Sequence, residues 1–265
     1  MIDSQTLWFY SGKLIIGALL FIRITGMMAG APLFRSEAIP VQLKILLSVI
    51  LAFSLSTAFW QEKVVIEFHL WNVILLVFKE FMVGLALGFA ANTVFWAIRF
   101  AGGLIDFDMG YQTSMLFNIE ETSPTIVGEL KFMSILVVFL FINGHHYLLE
   151  GIWASVRAVP VGSFEVTEST VKLLIRIAVS VFVIALKISA PVLIALFLTN
   201  LALALLARVA PQTNIFILSF QMKIVVGLIM LFTSFPIIVM VSKYALQGLE
   251  YELMRFLLSL NPARV

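Results

Sequence analysis

Cysteine is absent from the chain, which excludes disulfide bonds, thiolate catalysis and cysteine-ligated metal sites. Charge is scarce as well: Asp, Glu, Lys and Arg make up 12% of the residues, whereas soluble globular domains contain about a quarter. The formal net charge is only +2, and no long run carries one sign. The sequence therefore offers neither a basic surface for nucleic acid nor a charged interaction tail.

Known catalytic motifs are also missing. The chain has no Gly-Lys-Ser/Thr phosphate loop, no His-Glu-x-x-His helix and no Gly-x-Ser-x-Gly elbow. Adjacent imidazoles occur at His145 and His146, but neighbours on a helix point about 100° apart and no third ligand lies at metal spacing. We therefore predict that the chain is not an enzyme and that it has no metal site and no cofactor.

Apolar residues dominate what is present. They make up 62% of the chain and the mean hydropathy is +1.08, so the sequence predicts an integral membrane protein. A helix needs about 20 mostly apolar residues to span a bilayer. The predicted fold class is an all-α, polytopic helical membrane protein with about six apolar helical runs, several of them broken. The runs cover residues 7–33, 41–59, 70–98, 132–149, 173–207 and 216–244.

Charged residues lie within nearly every apolar run. Each charge at a helix centre costs ~2.5–3.5 kcal/mol even on a lenient insertion scale. One long side chain can extend to the lipid headgroups, but a whole set distributed over the runs cannot. We therefore expect these helices to face one another, other subunits or a hydrated lumen, within a larger assembly. The residues concerned are Arg23, Lys44, Lys79, Glu80, Arg176, Lys187 and Lys223.

Glycine and proline residues within the apolar runs predict how the helices pack and where they are interrupted. Two Gly-x-x-x-Gly pairs, at residues 26–30 and 84–88, put small residues on one helix face and predict close helix packing. Pro191 and Pro236 fall inside apolar runs and are expected to kink or break them. We thus expect tightly packed helices with interruptions near these two prolines.

A turn is predicted after the fifth apolar run, at residues 208–216. Pro211 cannot continue a helix, while Gln212 and Asn214 can satisfy the carbonyls that this interruption leaves free. Arg208 places a charge beside the turn. We therefore expect an ordered segment that contacts other subunits.

Residues 100–131 form the one long polar interruption in the middle of the chain. They hold five of the fifteen acidic residues, with no base between Arg99 and Lys131. Their Met and aromatic side chains are too apolar for disorder, so we predict a central plug-like loop at membrane depth; the alternative is an interfacial loop with its rings among headgroups. Asp106 and Asp108 fit either a proton-relay pair or turn chemistry. The plug and gating residues are Asp106, Asp108, Met109, Gly110, Tyr111, Met115 and Phe117.

Together these residues resemble the FliR/SctT family, the export-gate proteins of bacterial flagella and of type III secretion injectisomes. The resemblance covers essentially the whole chain, and its most specific part is the run from Arg208 through Pro211, Gln212 and Asn214 to Phe216. The Asn-Gly-His-His and Asn-Ile-Phe runs look more like the flagellar members. Further matching residues are Arg23, Pro32, Pro40, Lys44, Glu80, Gly84, Gly88, Gly102, Asp106, Gly110, Asn143 and Lys223.

The resemblance implies a function that composition does not show. In this family a FliR-type subunit assembles with FliP-type and FliQ-type subunits, and with a FlhB-type subunit, into a gate through which unfolded flagellar substrates pass for flagellum assembly. A loop at the position of residues 106–117 plugs the pore, and much of the helical bundle sits above the plane that hydropathy suggests. The residues expected at inter-subunit contacts are Arg23, Lys44, Glu80, Arg208, Pro211, Gln212, Asn214 and Lys223.

The resemblance also implies where the protein lies and how it is divided. It indicates one domain over residues 1–265, with FliP-like helices over about 1–160 and a FliQ-like hairpin region over about 165–265. The location implied is the bacterial inner membrane, in the flagellar basal body.

Three other interpretations stay open at this point. An injectisome gate subunit shares much of the same pattern. Broken helices and charges within apolar runs are also typical of secondary transporters for small solutes. A lipid-modifying membrane enzyme would use the aspartates near residue 106 and the histidine pair. A transporter should be stable alone on purification, whereas a gate subunit should need its partners.

Overall fold

The computed structural model describes residues 4–31, 34, 39–58, 70–111, 125–164, 168–212 and 214–259. Helices account for nearly all of this part of the chain, and no strand occurs in it. The all-α prediction is therefore confirmed. The helices are α1 (Ser4–Gly30), α2 (Val41–Ala58), α3 (Leu70–Met109), α4 (Ile126–Phe141), α5 (Gly144–Ala158), α6 (Glu168–Val209) and α7 (Ile215–Ser259).

Several helices are long and apolar enough to cross a membrane, which agrees with a polytopic membrane protein. Four meet the length and composition on their own, and α4 with α5 forms a fifth candidate that is broken after Ile142. Asn143 causes the break with a left-handed backbone (φ 58°), which its short polar side chain tolerates. The predicted count of six is not reached among the described helices. The four are Val41–Ala58, Leu70–Met109, Thr170–Val209 and Ile215–Leu246.

The chain divides into two compact units. The first comprises Met1–Asn92, Asn143–Ile177 and Gly248–Val265, and the second comprises Thr93–Ile142 and Ala178–Gln247. Both units are discontinuous in sequence because α3, α6 and α7 each contribute to both. The division near residue 160 that the resemblance implies stays a prediction.

In the first unit, the backbones of α1 and α3 touch where they cross. A Cβ on Gly84 would overlap the carbonyl of Arg23, and a Cβ on Gly30 would lie 2.9 Å from Gly88 Cα. A Cβ on Gly26 would lie 2.6 Å from a carbonyl of α3. The two Gly-x-x-x-Gly pairs therefore meet in one crossing, and the prediction of close packing is confirmed.

In the second unit, α3 continues to Met109, well past the end of its predicted apolar run. Residues 100–109 are thus helical, and so are residues 126–131 at the other end of the polar interruption, so the prediction that these parts form a loop is wrong. Tertiary packing overrides the local preference of glycine and aspartate for turns: a Cβ on Gly102 would overlap Gly128, so α3 and α4 are in backbone contact here. Residues 112–124 lie outside the described residues.

Helices α6 and α7 run through Pro191 and Pro236 without a break. The expectation of a break is therefore wrong at both positions, and the alternative expectation of a kink stays a prediction. Two residues before each proline, a serine hydroxyl donates to the carbonyl four positions earlier, at 2.9 Å for Ser189 and 2.6 Å for Ser234. In apolar surroundings an unpaired backbone group costs several kcal/mol. Breaking the helix at the proline would leave further backbone groups unpaired, so the helix continues through it.

Replacing Gly84 with alanine should destabilise the first unit, because the new methyl group would overlap the Arg23 carbonyl. Overpacking of this kind costs ~1–3 kcal/mol. Gly17→Ala in α1 is the matched control, since a Cβ there would meet nothing closer than 3.8 Å. Thermal denaturation of the full-length protein in detergent measures both variants. Equal melting temperatures for the two would contradict the close crossing.

Candidate functional site

A buried ion pair joins α1 and α3 in the first unit. Arg23 Nε donates to Glu80 Oε2 at 2.7 Å, and both side chains are 0% exposed. The glycine crossing sets this geometry, because the backbones touch at Gly84, one helical turn after Glu80. Both charged residues were predicted at inter-subunit contacts, and the structure places them inside the chain, in contact with each other.

The same pair holds the end of α5 and the residues that follow it. Arg23 Nη1 donates to Val159 O at 3.0 Å and to Ser155 Oγ at 3.4 Å. Glu80 Oε1 accepts the Gly162 N–H at 2.8 Å. Gly162 has a φ of 85°, a left-handed backbone that favours glycine. One guanidinium and one carboxylate thus connect three segments of the first unit. Sequence reasoning missed the third because two of its three contacts are to backbone groups.

In the second unit, Asp106 caps the start of α4. Its Oδ1 and Oδ2 accept the Val127 N–H at 3.2 and 3.1 Å, and Asp106 is 1% exposed. The N-cap residue Thr125 makes no side-chain cap hydrogen bond, so Asp106 supplies the acceptor that the first turn of α4 needs. A carboxylate also interacts favourably with a helix N-terminus. Because Asp106 lies within α3, its interpretation as a turn residue is wrong.

Lys131 shares the buried environment of Asp106. It lies four residues after Val127 in α4, is 1% exposed, and is attracted electrostatically by Asp106. In the described part of the chain, Lys131 Nζ makes no hydrogen bond. Sequence reasoning gave this residue no role. The signal that would have found it is a single base in a helix whose other residues are nearly all apolar.

Met109 anchors the end of α3 in the core of the second unit. It is fully buried and clusters with Ile105, Val192 and Leu196. A Cβ on Gly227 would lie 2.5 Å from Met109 Cε, so the glycine in α7 makes room for the methionine. Met109 was predicted as part of the plug, and the structure places it among packed helices.

The other predicted gating residues lie near this anchor or beyond the described part. Asp108 is half-buried on α3, and Gly110 takes a φ of 85° where the helix ends. Tyr111 is half-buried and packs against the cluster around Met109. Met115 and Phe117 lie outside the described residues.

The predicted turn between α6 and α7 is an exposed connection. Arg208, Pro211, Gln212 and Asn214 are all exposed. Asn214 Oδ1 accepts the Ile217 N–H at 3.5 Å, so Asn214 caps the start of α7 instead of satisfying carbonyls of α6 as expected. The exposed arginine and amides leave this segment accessible to another protein.

The remaining charges of the apolar runs are distributed over the surface of the chain. Arg176 and Lys187 are exposed on α6, whereas Lys44, Lys79 and Lys223 are half-buried. Exposed charges in the middle of an apolar helix need water or protein around them. The single chain therefore presents surfaces that lipid alone would solvate poorly.

His145 and His146 lie at the start of α5 with ring centroids 4.4 Å apart. Within the residues described, no three His, Cys, Asp or Glu side chains lie close enough together to hold a metal ion. His145 is half-buried and His146 is exposed. The histidine pair thus stands at a helix start, beside the left-handed residue that breaks α4 from α5.

Comparison with known proteins gives a consistent relationship. Residues 14–249 match the family described as bacterial export proteins, family 1. The flagellar biosynthetic protein FliR of Bacillus subtilis (strain 168) is 34% identical over 247 residues, covering 91% of this chain and 94% of the relative. FliR of Escherichia coli (strain K12) is 26% identical over 220 residues, covering 82% and 83%. Yop proteins translocation protein T of Yersinia pestis is 33% identical over 171 residues, covering 63% and 65%.

Glu80→Gln should destabilise the first unit strongly, because it leaves the Arg23 guanidinium buried without a counter-charge. Breaking a buried pair from one side costs ~3–5 kcal/mol. The control is Glu129→Gln, since Glu129 pairs with Arg99 at 3.5 Å where both side chains are partly exposed, and such pairs contribute ~0–1 kcal/mol. Thermal denaturation of the full-length variants compares the two. Similar melting temperatures would show that the buried pair does not hold the helices together.

Proposed function

The chain belongs to the bacterial export proteins, family 1, and from this premise we propose that it is a subunit of a type III protein export gate in the bacterial inner membrane. The observation that carries the proposal is the extent of the match. The family covers residues 14–249, and FliR of Bacillus subtilis aligns over 91% of the chain. The resemblance to the FliR/SctT family is thereby confirmed.

Flagellar assembly is the branch we propose. FliR of Bacillus subtilis aligns over 247 residues, whereas translocation protein T of Yersinia pestis aligns over 171 at similar identity. An injectisome gate subunit is the second candidate, supported by that 33% identity. In both cases the chain helps form the channel for unfolded substrates and performs no catalysis of its own.

The partners proposed are FliP-type and FliQ-type subunits, with a FlhB-type subunit associated. The exposed charges on α6 support neighbours other than lipid, because Arg176 and Lys187 lie among apolar residues of a long helix. The exposed segment around Arg208 supports the same view. We place inter-subunit contacts at these surfaces and treat Arg23 and Glu80 as a joint inside the chain.

The seal of the channel is proposed for the segment that begins at Gly110. Thioethers and aromatic rings fill irregular gaps reversibly, and Tyr111, Met115 and Phe117 supply them here. Met109 is assigned a different role from the one expected, because it is buried under Gly227 and fixes the base of the segment. Apolar contacts suit a seal that must hold ions back and then yield to a passing chain.

Removing the chain from a flagellated host should abolish flagellin secretion and swimming, and supplying the wild-type chain should restore both. Arg208→Glu should not restore them, because it reverses the charge of an exposed contact segment. Lys172→Glu is the charge-reversal control, since Lys172 is exposed and its ion pair with Glu168 lies on the surface. Secreted flagellin and co-purified partner subunits are measured. Normal secretion without the chain would remove the proposed function, and normal secretion by Arg208→Glu only the contact role.

Replacing residues 110–117 with a Gly/Ser linker of equal length should make the membrane leak small ions while the gate still assembles. The reason is that the linker keeps the connection but loses the apolar seal. Conductance of the purified gate in planar bilayers measures the leak. Met109→Leu is the control, because it keeps the packing of the core and leaves the segment unchanged. Wild-type tightness in the assembled linker variant would place the seal elsewhere.

A further inference from the structure

Asp106 and Lys131 form a buried charge site that the proposed function leaves without a role. We propose that this site binds and releases a proton inside the helical core of the export gate, and that Lys131 is the group whose protonation changes. The inference rests on the proposed function, since the gate is the setting in which a buried proton site would act. Ionisable residues inside membrane helices commonly mark proton paths.

The α4 amides stabilise a negative charge on Asp106. Both of its oxygens accept the Val127 N–H, at 3.2 and 3.1 Å, and the Gly128 amide adds a further hydrogen bond. These amides form the N-terminal turn of α4, where a negative charge is favoured. Neutralising Asp106 would weaken the one side-chain cap that the turn has, because Thr125 provides none. The aspartate is therefore the member of the pair whose charge has hydrogen-bond donors.

Lys131 is the labile member. An ammonium group carries three N–H donors, and in the described structure none of those on Lys131 has an acceptor. A buried charge without hydrogen bonds is costly, and loss of one proton removes that charge. Arg23 offers the contrast: its Nε and Nη1 donate to Glu80, Val159 and Ser155, while its Nη2 has no partner among the described residues. An arginine does not release its proton in proteins, so the charge stays on Arg23.

The other charged groups that α3 and α4 contribute to the second unit do not compete for this site. Arg99 and Glu129 pair with each other at 3.5 Å and are 45% and 35% exposed. Asp108 is half-buried, two residues beyond Asp106 on α3. None of these three side chains is buried as Asp106 and Lys131 are. The electrostatic partner of Lys131 is thus Asp106.

Helices α6 and α7 bring apolar groups to this part of the second unit. Val192 and Leu196 of α6 cluster with Val127, the residue whose amide binds Asp106. On α6 and α7, the charged residues nearest in sequence to this cluster are Lys187, which is exposed, and Lys223, which is half-buried. A second titratable group at the edge of the cluster is the Tyr111 phenol. The site therefore lies in surroundings where a change of one charge has a large effect.

Proton release converts the Lys131 –NH3+ group to –NH2 and passes one proton to water, and uptake reverses the step. After release, the Asp106 charge is balanced by the α4 amides alone. Since the two residues sit on α3 and α4, the proton changes the attraction between these helices at their backbone contact. The site thus links proton occupancy to the packing of α3 against α4.

The test compares three full-length variants in the flagellated host that lacks its own copy. Lys131→Arg keeps a positive charge that is not released, and Asp106→Asn combined with Lys131→Gln removes both charges while keeping similar shapes. Glu129→Gln is the control, because its ion pair is partly exposed. Flagellin secretion is measured over a series of external pH values, together with the amount of assembled gate. We expect the wild type and the control to secrete with the same pH dependence. Both site variants should assemble, but neither should secrete flagellin at any pH of the series.

Each outcome either supports or overturns the proposed proton site. Secretion by Lys131→Arg equal to wild type at every pH would overturn the proton site, as would a wild-type rate that does not change with pH. Failure of both site variants to accumulate would identify the pair as purely structural and would also overturn it. Normal secretion in the strain without any copy would instead refute the proposed function. The failure of the inference and the failure of the function are therefore distinguishable.

Discussion

The first unit depends on the contact between two pairs of glycines. Because Gly30 and Gly88 have no side chains, α1 and α3 approach until their backbones touch, and this distance lets Arg23 Nε bind Glu80 at 2.7 Å. Desolvating two charges costs several kcal/mol per ion, so the pair gives specificity of arrangement more than net stability. Its remaining hydrogen bonds then fix the end of α5 and Gly162. Larger residues at these glycine positions would hold α1 and α3 farther apart, so that Arg23 and Glu80 could not make contact.

Local signals explain which features could be predicted from the sequence. The all-α membrane class follows from the composition of the chain. Close helix packing follows from glycines four residues apart, because that spacing is visible within a single helix. The helical state of residues 100–109 and the capping of α4 could not be read this way. Asp106 and Val127 are 21 residues apart, and Asp106 resembles a turn residue until its partner is known. Lys131 stands out as the single base of α4, but its partner could not be predicted because Asp106 is brought next to it by the packing of α3.

The chain uses buried charge in two different ways. Both carboxylate oxygens of Glu80 are occupied, and Arg23 donates three hydrogen bonds through Nε and Nη1, which makes a fixed joint although Nη2 has no partner among the described residues. At Asp106 and Lys131 the carboxylate is occupied and the ammonium is not. Burial and charge alone do not separate these cases, since all four side chains are 1% exposed or less. The number of occupied hydrogen-bonding groups does separate them.

Helix α3 has 40 residues and no proline in its sequence. At 1.5 Å per residue it is about 60 Å long, whereas the hydrocarbon core of a bilayer is about 30 Å thick. Confining it to that layer would need a tilt of about 60°, well above the roughly 20° typical of membrane helices. An undistorted helix of this length is therefore longer than the hydrocarbon layer is thick. Wherever such a helix leaves the acyl chains, water faces its leucines and phenylalanines unless protein covers them, so its length favours a place within a larger assembly.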